Sequence, residues 1–164
     1  MGYQQRAVGA DSQYDMLVKL ELTRDAFANL HEYVGQCGVA FLATPFSVEG
    51  LKFLVSLNVR AIKLASPDIV NGPLLDASAE AQRPVIASTG AADHEEVAAA
   101  VERFNRLGAG PLALLHCVSS YPTPEHEANL AAIGMLARAF DCISGFSDHT
   151  ESLTIGGYAV AAGA

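Results

Sequence analysis

The stretch Arg83-Pro-Val-Ile-Ala-Ser-Thr-Gly90 decides the fold that we predict for this sequence. Its centre, Pro-Val-Ile-Ala, is a short apolar run without polar alternation, which is typical of a strand that helices cover in a parallel sheet. Two hydroxyl residues and a glycine then end the strand. Asp93 and Glu96 follow at the spacing of a capping box, which marks the start of a helix. The stretch therefore predicts a strand, a short polar loop and a helix in succession.

The same unit recurs along the whole chain. Besides the stretch above, the predicted strands are Val39–Ala43, Ala61–Ala65, Pro111–Leu115 and Cys142–Phe146. The predicted helices run from about Thr23 to Gly35 or Gly38, Ser47 to Leu57, Pro73 to Ala81, Asp93 to Leu107, Thr123 to Phe140 and Leu153 to Ala162. Because strands and helices alternate, the sequence predicts an α/β fold with a parallel sheet.

Two architectures fit this alternation, an open doubly wound sheet and a (β/α)₈ barrel. No GxGxxG motif follows the first predicted strand, which disfavours the dinucleotide-binding form of the open sheet. Polar residues follow every strand, as in barrels, whose active sites lie at the carboxyl ends of the strands. A barrel usually takes about 250 residues. These 164 residues hold about five βα units, so we predict an incomplete TIM-type barrel over residues 1–164.

Charge and cysteine usage exclude several classes of partner. The net charge of −8 disfavours a nucleic acid or an anionic membrane as partner, because both need a basic surface. No apolar run reaches the length of a membrane-spanning helix. The three cysteines are widely spaced and form no CxxC pair, which is typical of a reduced, cytoplasmic protein.

The polar residues after the strands are the candidate functional groups. Lys63 interrupts an apolar strand and must reach either the mouth of the barrel or a buried partner. One ammonium among several hydroxyls and loop N–H groups suits a phosphate or carboxylate, although Ser and Thr there could also simply cap helices. His149 is the best candidate to bind a metal or a proton. His116 and Cys117 do not suggest a nucleophilic pair, because adjacent strand residues point to opposite faces.

Five stretches together resemble the N-acetylneuraminate (sialic acid) synthase family. They are Phe41-Leu-Ala-Thr-Pro-Phe46, Ala61-Ile-Lys-Leu-Ala-Ser66, Val85-Ile-Ala-Ser-Thr-Gly90, Leu114-Leu-His-Cys-Val-Ser-Ser-Tyr-Pro122 and Gly145-Phe-Ser-Asp-His-Thr150. They occur in the order and at the spacing of that family and cover nearly the whole chain. The combination of the last two stretches is more specific than any single one.

The resemblance implies an enzyme that condenses phosphoenolpyruvate with N-acetylmannosamine or a related N-acetylated amino sugar, giving a nonulosonic acid and phosphate. It implies that phosphoenolpyruvate is held by Thr44, Lys63, Ser66, Ser88, Ser119 and Ser147. Tyr121 would lie beside the sugar, and His149 would bind a divalent metal, typically manganese. It assigns no catalytic acid or base within these residues. The enzyme would be a homo-oligomer, a dimer.

The chain also departs from the pattern of that family. It corresponds to strands 3 to 7 of the barrel and lacks the last strand, which brings a second metal-binding histidine in the family. The C-terminal antifreeze-like domain of the family is absent as well. Two alternatives therefore stand beside a synthase: a non-catalytic barrel remnant that binds an anion or a partner subunit, and a related phosphoenolpyruvate-condensing barrel that makes another sugar acid or an aromatic precursor.

Overall fold

A computed structural model of the protein describes residues 12–164. The chain divides into two compact units, Met1–Phe41 and Leu42–Ala164. The described part of the first unit contains helices α1 (Gln13–Leu20) and α2 (Arg24–Gln36). Thr23 caps α2 as predicted, because its hydroxyl accepts a hydrogen bond from the Ala26 N–H.

The second unit is a four-stranded sheet in which all neighbouring strands are parallel. Its strands, in their order across the sheet, are β1 (Ile62–Leu64), β2 (Val85–Ser88), β3 (Leu112–His116) and β4 (Ile143–Phe146). Its α-helices are α3 (Val48–Ser56), α4 (Gly72–Glu80), α5 (His94–Arg106), α6 (Ala131–Phe140) and α7 (Ile155–Ala161). Two 3₁₀ turns, Ser66–Val70 and Glu125–Glu127, lie between them. Within residues 12–164, no helix combines the length and apolarity needed to cross a membrane.

The two faces of this sheet differ in burial. On one face, alternate strand residues enter a core with the helices and are at most 1% exposed: Ile62, Leu64, Val85, Ala87 and Leu114. Residues of the opposite parity, such as Lys63 and Ile86, are only partly buried. Because strand side chains alternate between faces, burial of the first set directs Lys63 to the other face of the sheet.

The predicted strand Val39–Ala43 is wrong. The structure gives it no extended ladder, and among the described residues β1 pairs with β2 alone. Val39 and Leu42 are 61% and 46% exposed. An apolar run becomes a strand only when it pairs with a neighbouring strand that satisfies its backbone groups, and residues 39–43 do not pair with any described strand.

The predicted continuous helix from Thr123 to Phe140 is also wrong. A short 3₁₀ turn is followed by Asn129, whose φ of 44° is left-handed and cannot belong to an α-helix, so α6 begins only at Ala131. Thr123 does not cap a helix, because its hydroxyl donates to the Ser120 carbonyl instead. The predicted start of α5 is confirmed, since Asp93 and Glu96 form the reciprocal bonds of a capping box.

Candidate functional site

Lys63 and Ser88 meet above the sheet although 25 residues separate them in the sequence. Parallel pairing of β1 with β2 places Lys63 opposite Ile86, so its side chain extends along β2 toward the carboxyl end. The Lys63 ammonium donates to Ser88 Oγ at 2.6 Å and to the Leu64 carbonyl at 2.8 Å. Ser88 is only 3% exposed, so its hydroxyl is oriented by this bond rather than by water.

The charge of Lys63 has no counter-ion among residues 12–164. Lys63 takes no part in the ion pair of Arg103 with Asp76 or in the contact of His126 with Glu127. An ammonium carries three hydrogens, and two of those on Lys63 are used by neutral oxygens. Partial burial lowers the pKa of Lys63, and a smaller electrostatic interaction with Cys117 raises it. A desolvated cation with a spare donor is suited to bind an anion.

Ser66 is held where the loops after β1, β2 and β3 meet. Its Oγ accepts a hydrogen bond from the Gly90 N–H at 3.1 Å and lies 3.1 Å from Cys117 Sγ. A Cβ atom at Gly90 would lie 2.5 Å from Cys117 Sγ and 2.6 Å from the Cys117 carbonyl oxygen. Only glycine permits this approach, so its lack of a side chain is what allows the three loops to meet. We call Lys63, Ser66 and Ser88 the β1–β2 group.

His149 is oriented by a backbone carbonyl of the neighbouring loop. Its Nδ1 lies 2.7 Å from the Val118 carbonyl oxygen, which can only accept, so the proton is assigned to Nδ1. Nε2 then carries a lone pair, and Ser147 Oγ lies 3.4 Å from it. The Tyr121 ring packs on the imidazole with centroids 4.3 Å apart. We call Tyr121, Ser147 and His149 the β3–β4 group.

The tautomer of His149 suits a metal ligand, because ligating histidines commonly donate their second ring N–H to a carbonyl or carboxylate. The rest of a metal site is not present in the described part of the chain. Within residues 12–164, no three His, Cys, Asp or Glu side chains lie together as metal ligands. A catalytic metal needs about three protein ligands. These residues therefore fit a metal as a single ligand and do not form its complete site.

The structure brings five of the eight predicted site residues into direct contact, Lys63 with Ser88, and His149 with Ser147 and Tyr121. Ser66 contacts Gly90 and Cys117 instead. Thr44 and Ser119 make no hydrogen bond to any other predicted site residue. Thr44 is partly buried and Ser119 is exposed. Their predicted contact with phosphoenolpyruvate stays a prediction.

The expected divergence of His116 and Cys117 is confirmed. His116 Nε2 donates to the Ala128 carbonyl at 2.9 Å, and its ring stacks on Phe146. Cys117 instead contacts Ser66 on the other face of the sheet. The two side chains do not form a nucleophile and base.

Sequence reasoning missed three residues that hold the site together, namely Gly90, Cys117 and Thr123. Gly90 and Cys117 lie in the stretches that carry the family resemblance, but the sequence predicts no role for either in shaping the site. The sequence signal for Gly90 was a glycine placed directly after a Ser-Thr pair at the carboxyl end of a strand. Nothing in the sequence signalled that Thr123, which is 4% exposed, bonds within its own loop instead of capping a helix.

Solved structures of known proteins share this fold. The sialic acid synthetase of Leptospira borgpetersenii, solved with citrate, matches at a TM-score of 0.88 with 39% identity, over 98% of this chain and 56% of that one. A truncated 3-deoxy-D-arabino-heptulosonate 7-phosphate synthase of Thermotoga maritima matches at a TM-score of 0.71 over 88% of this chain and 58% of that one. At 15% identity the second likeness concerns the fold alone.

Sequence relatives point the same way. The N,N'-diacetyllegionaminic acid synthase of Campylobacter jejuni is 38% identical over 99% of this chain and 49% of its own length. The chain thus spans about half the length of the curated relatives that it matches. The profile of the NeuB family matches residues 1–164. A match over the entire chain, with these relatives and this fold, shows that the chain belongs to the NeuB family.

Proposed function

We propose that the protein carrying this chain condenses phosphoenolpyruvate with an N-acetylated amino sugar, giving a nonulosonic acid and inorganic phosphate. A carbon–carbon bond forms between the enol carbon of phosphoenolpyruvate and the aldehyde carbon of the sugar, while one water molecule is consumed in breaking the phosphate ester, so that the ketone of the sugar acid and inorganic phosphate result. Relatives whose names denote synthases of acetylated sugar acids support this proposal, as does the membership of the chain in their family.

The observation that carries the proposal is the ammonium of Lys63. It is partly desolvated, is oriented by Ser88 and has a hydrogen to spare. A phosphate or carboxylate would supply the counter-charge that residues 12–164 lack at this point. We assign the β1–β2 group to phosphoenolpyruvate, together with Thr44, Ser119 and Ser147. Held in this way, the enol carbon would be oriented for attack on the aldehyde.

Tyr121 and His149 of the β3–β4 group are assigned to the acceptor. Tyr121 is 46% exposed and packs on the His149 ring, which supports its assignment beside the sugar. His149 would be one ligand of a divalent metal, with manganese as the proposed ion and the remaining ligands supplied from outside residues 12–164. A bound divalent ion would supply Lewis acidity toward a carbonyl oxygen.

The direct test is phosphate release by the full-length gene product, with phosphoenolpyruvate, Mn²⁺ and a panel of acceptors. We expect turnover with N-acetylated amino sugars and none with aldose phosphates that lack an acetamido group. The reverse preference would assign the protein to a related condensing barrel. Binding of phosphoenolpyruvate in calorimetry without turnover on any acceptor would instead identify a non-catalytic remnant.

A further inference from the structure

Thr123 lies in the loop between β3 and the Glu125–Glu127 turn and is 4% exposed. A buried hydroxyl needs a hydrogen-bond partner, and the single hydrogen of this one has two carbonyl oxygens within reach. The Ser120 carbonyl lies at 2.8 Å and the Val118 carbonyl at 3.4 Å, so the bond goes to Ser120 and the second is a longer contact. The hydroxyl therefore closes the loop on itself.

The same residue also joins this loop to the one after β4. The Thr123 N–H donates to the His149 carbonyl at 2.8 Å. In return, His149 Nδ1 donates to the Val118 carbonyl at 2.7 Å. Thr123 thus holds the backbone of His149 through its N–H. Through its hydroxyl it holds the loop that carries the Val118 carbonyl, which accepts the hydrogen bond from the His149 ring. Displacement of that loop would remove the bond that directs the Nε2 lone pair.

The geometry points to Thr123 as a positioning residue for His149, an inference that rests on the role proposed for His149 above. Thr123 does not touch the reacting groups itself. It keeps the Val118 carbonyl in place, which selects the tautomer of His149 with the proton on Nδ1 and sets the plane of the ring. Tyr121, two residues before Thr123, packs on that imidazole and depends on the same loop.

The test uses Thr123→Val, which removes the hydroxyl but keeps the branched shape and the backbone N–H, and Thr123→Ser, which restores the hydroxyl. Thr123→Ala serves if the valine variant does not fold. Ser78→Ala is the matched control, because Ser78 is 0% exposed and its hydroxyl donates to the Leu74 carbonyl within α4. All variants are made in the full-length gene product.

The first readout needs no activity. Nitrogen-15 NMR of the histidine rings in metal-free protein at alkaline pH reports which ring nitrogen of His149 is protonated, with His149→Gln to assign the signal. We expect the Nδ1–H tautomer in the parent protein, in Thr123→Ser and in Ser78→Ala. A mixture of tautomers is expected in Thr123→Val, because the accepting carbonyl is then free to move.

The second readout is steady-state kinetics. We expect kcat to fall on the order of tenfold in Thr123→Val, as for other changes behind a ligating histidine. The KM for phosphoenolpyruvate should stay near that of the parent protein, and Thr123→Ser should recover kcat. Thr123→Val with an intact Nδ1–H tautomer and unchanged kcat overturns the inference. A different outcome separates the two proposals. If the Nδ1–H tautomer is found in the parent protein and lost in Thr123→Val, but the parent protein catalyses no condensation, the positioning role of Thr123 holds while the proposed function fails.

Discussion

The β1–β2 group and the β3–β4 group lie at the same edge of one sheet, yet they are built differently. Ser66 and Ser88 are 8% and 3% exposed, and they contact a cation and a tightly packed glycine loop. In the β3–β4 group, Tyr121 is 46% exposed, and His149 is held by the carbonyl of a longer loop. The first group is a partly buried cation with two buried hydroxyls, and the second is an exposed tyrosine packed on one oriented, partly buried imidazole.

This difference has a physical consequence. Buried polar groups must be paired with good geometry, so the β1–β2 group can accept few ligand shapes. Tyr121 is exposed and His149 is only partly buried, so water can replace a contact that is lost there and varied partners are tolerated. We therefore expect the β1–β2 group to bind the phosphoenolpyruvate common to all the proposed reactions, and Tyr121 and His149 of the β3–β4 group to bind the variable sugar.

The largest expected effect is a loss of phosphoenolpyruvate affinity on substitution in the β1–β2 group, with little loss on substitution in the β3–β4 group. Lys63→Ala should weaken phosphoenolpyruvate binding by about 2–4 kcal/mol, the range for truncating one partner of a buried charge pair. Tyr121→Ala should change that affinity by about 0.5 kcal/mol or less, as for other exposed positions, and should raise the KM of the sugar instead. Calorimetry on the full-length protein measures the affinity, with Lys52→Ala as an exposed control of equal charge change. Unchanged affinity in Lys63→Ala would refute the assignment.

The next effect tests whether the β1–β2 group depends on close packing. Gly90→Ala places a Cβ 2.6 Å from the Cys117 carbonyl oxygen, so the backbone must move. We expect the free energy of unfolding in urea to fall by about 1–3 kcal/mol, the range for overpacking, with loss of phosphoenolpyruvate affinity. At Gly156 an added Cβ would have no atom within 4 Å apart from its chain neighbours and its own helix backbone, so Gly156→Ala should be neutral or stabilise α7 by about 0.5–1 kcal/mol. A Gly90→Ala protein with parental stability and affinity would show that the loops are not tightly packed in solution.

Binding of phosphoenolpyruvate to the β1–β2 group should depend on pH. Burial lowers the pKa of Lys63, so its ammonium loses its proton at a lower pH than an ordinary lysine. Phosphoenolpyruvate affinity should therefore fall as pH rises through that lowered pKa, and binding there should take up protons. In the free protein, the same shift makes folding more favourable as pH rises between the lowered and the ordinary pKa.

Calorimetry over a pH series, in buffers of different ionisation enthalpy, measures both the affinity and the proton uptake. Lys63→Arg should move the loss of affinity to higher pH, because a guanidinium keeps its charge. If phosphoenolpyruvate affinity falls over the same alkaline pH range in the parent protein and in Lys63→Arg, the loss must come from the titration of a residue other than Lys63.

The smallest expected effect concerns an ion pair that lies outside both groups. Arg103 donates to Asp76 from Nε at 2.5 Å and from Nη2 at 2.7 Å, joining α4 to α5, and these bonds lower the pKa of the Asp76 carboxyl. The stabilisation is present above the ordinary pKa of an aspartate and is lost as pH falls through the lowered one. Because both side chains are partly exposed, Asp76→Asn should lower the thermal midpoint only slightly.

Glu80→Gln is the control, since Glu80 is exposed on the same helix. Differential scanning calorimetry measures the midpoints, and phosphoenolpyruvate affinity should be unchanged in both variants. A clear loss of affinity in Asp76→Asn would show that the β1–β2 group is coupled to the outer helix layer.

Much of the fold was predictable because its signals are local. The apolar run of β2, the capping box at Asp93 and the caps at Thr23 and Ser47 each depend on residues within a few positions of one another. The strand predicted at Val39–Ala43 failed for the opposite reason. A strand exists only with a partner, and sequence composition does not show whether the described residues provide one.

The amino-acid sequence by itself determined the alternation of strands and helices, the placement of Lys63 within an apolar strand, and the family to which the chain belongs. Only the tertiary structure decided which hydroxyls and carbonyls meet. The bonds from Lys63 to Ser88 and from His149 to Val118 join residues 25 and 31 positions apart. Such contacts depend on strand register and loop packing, which form only when the sheet assembles. For the same reason, Thr123 could be recognised as a loop-holding residue only in the folded protein.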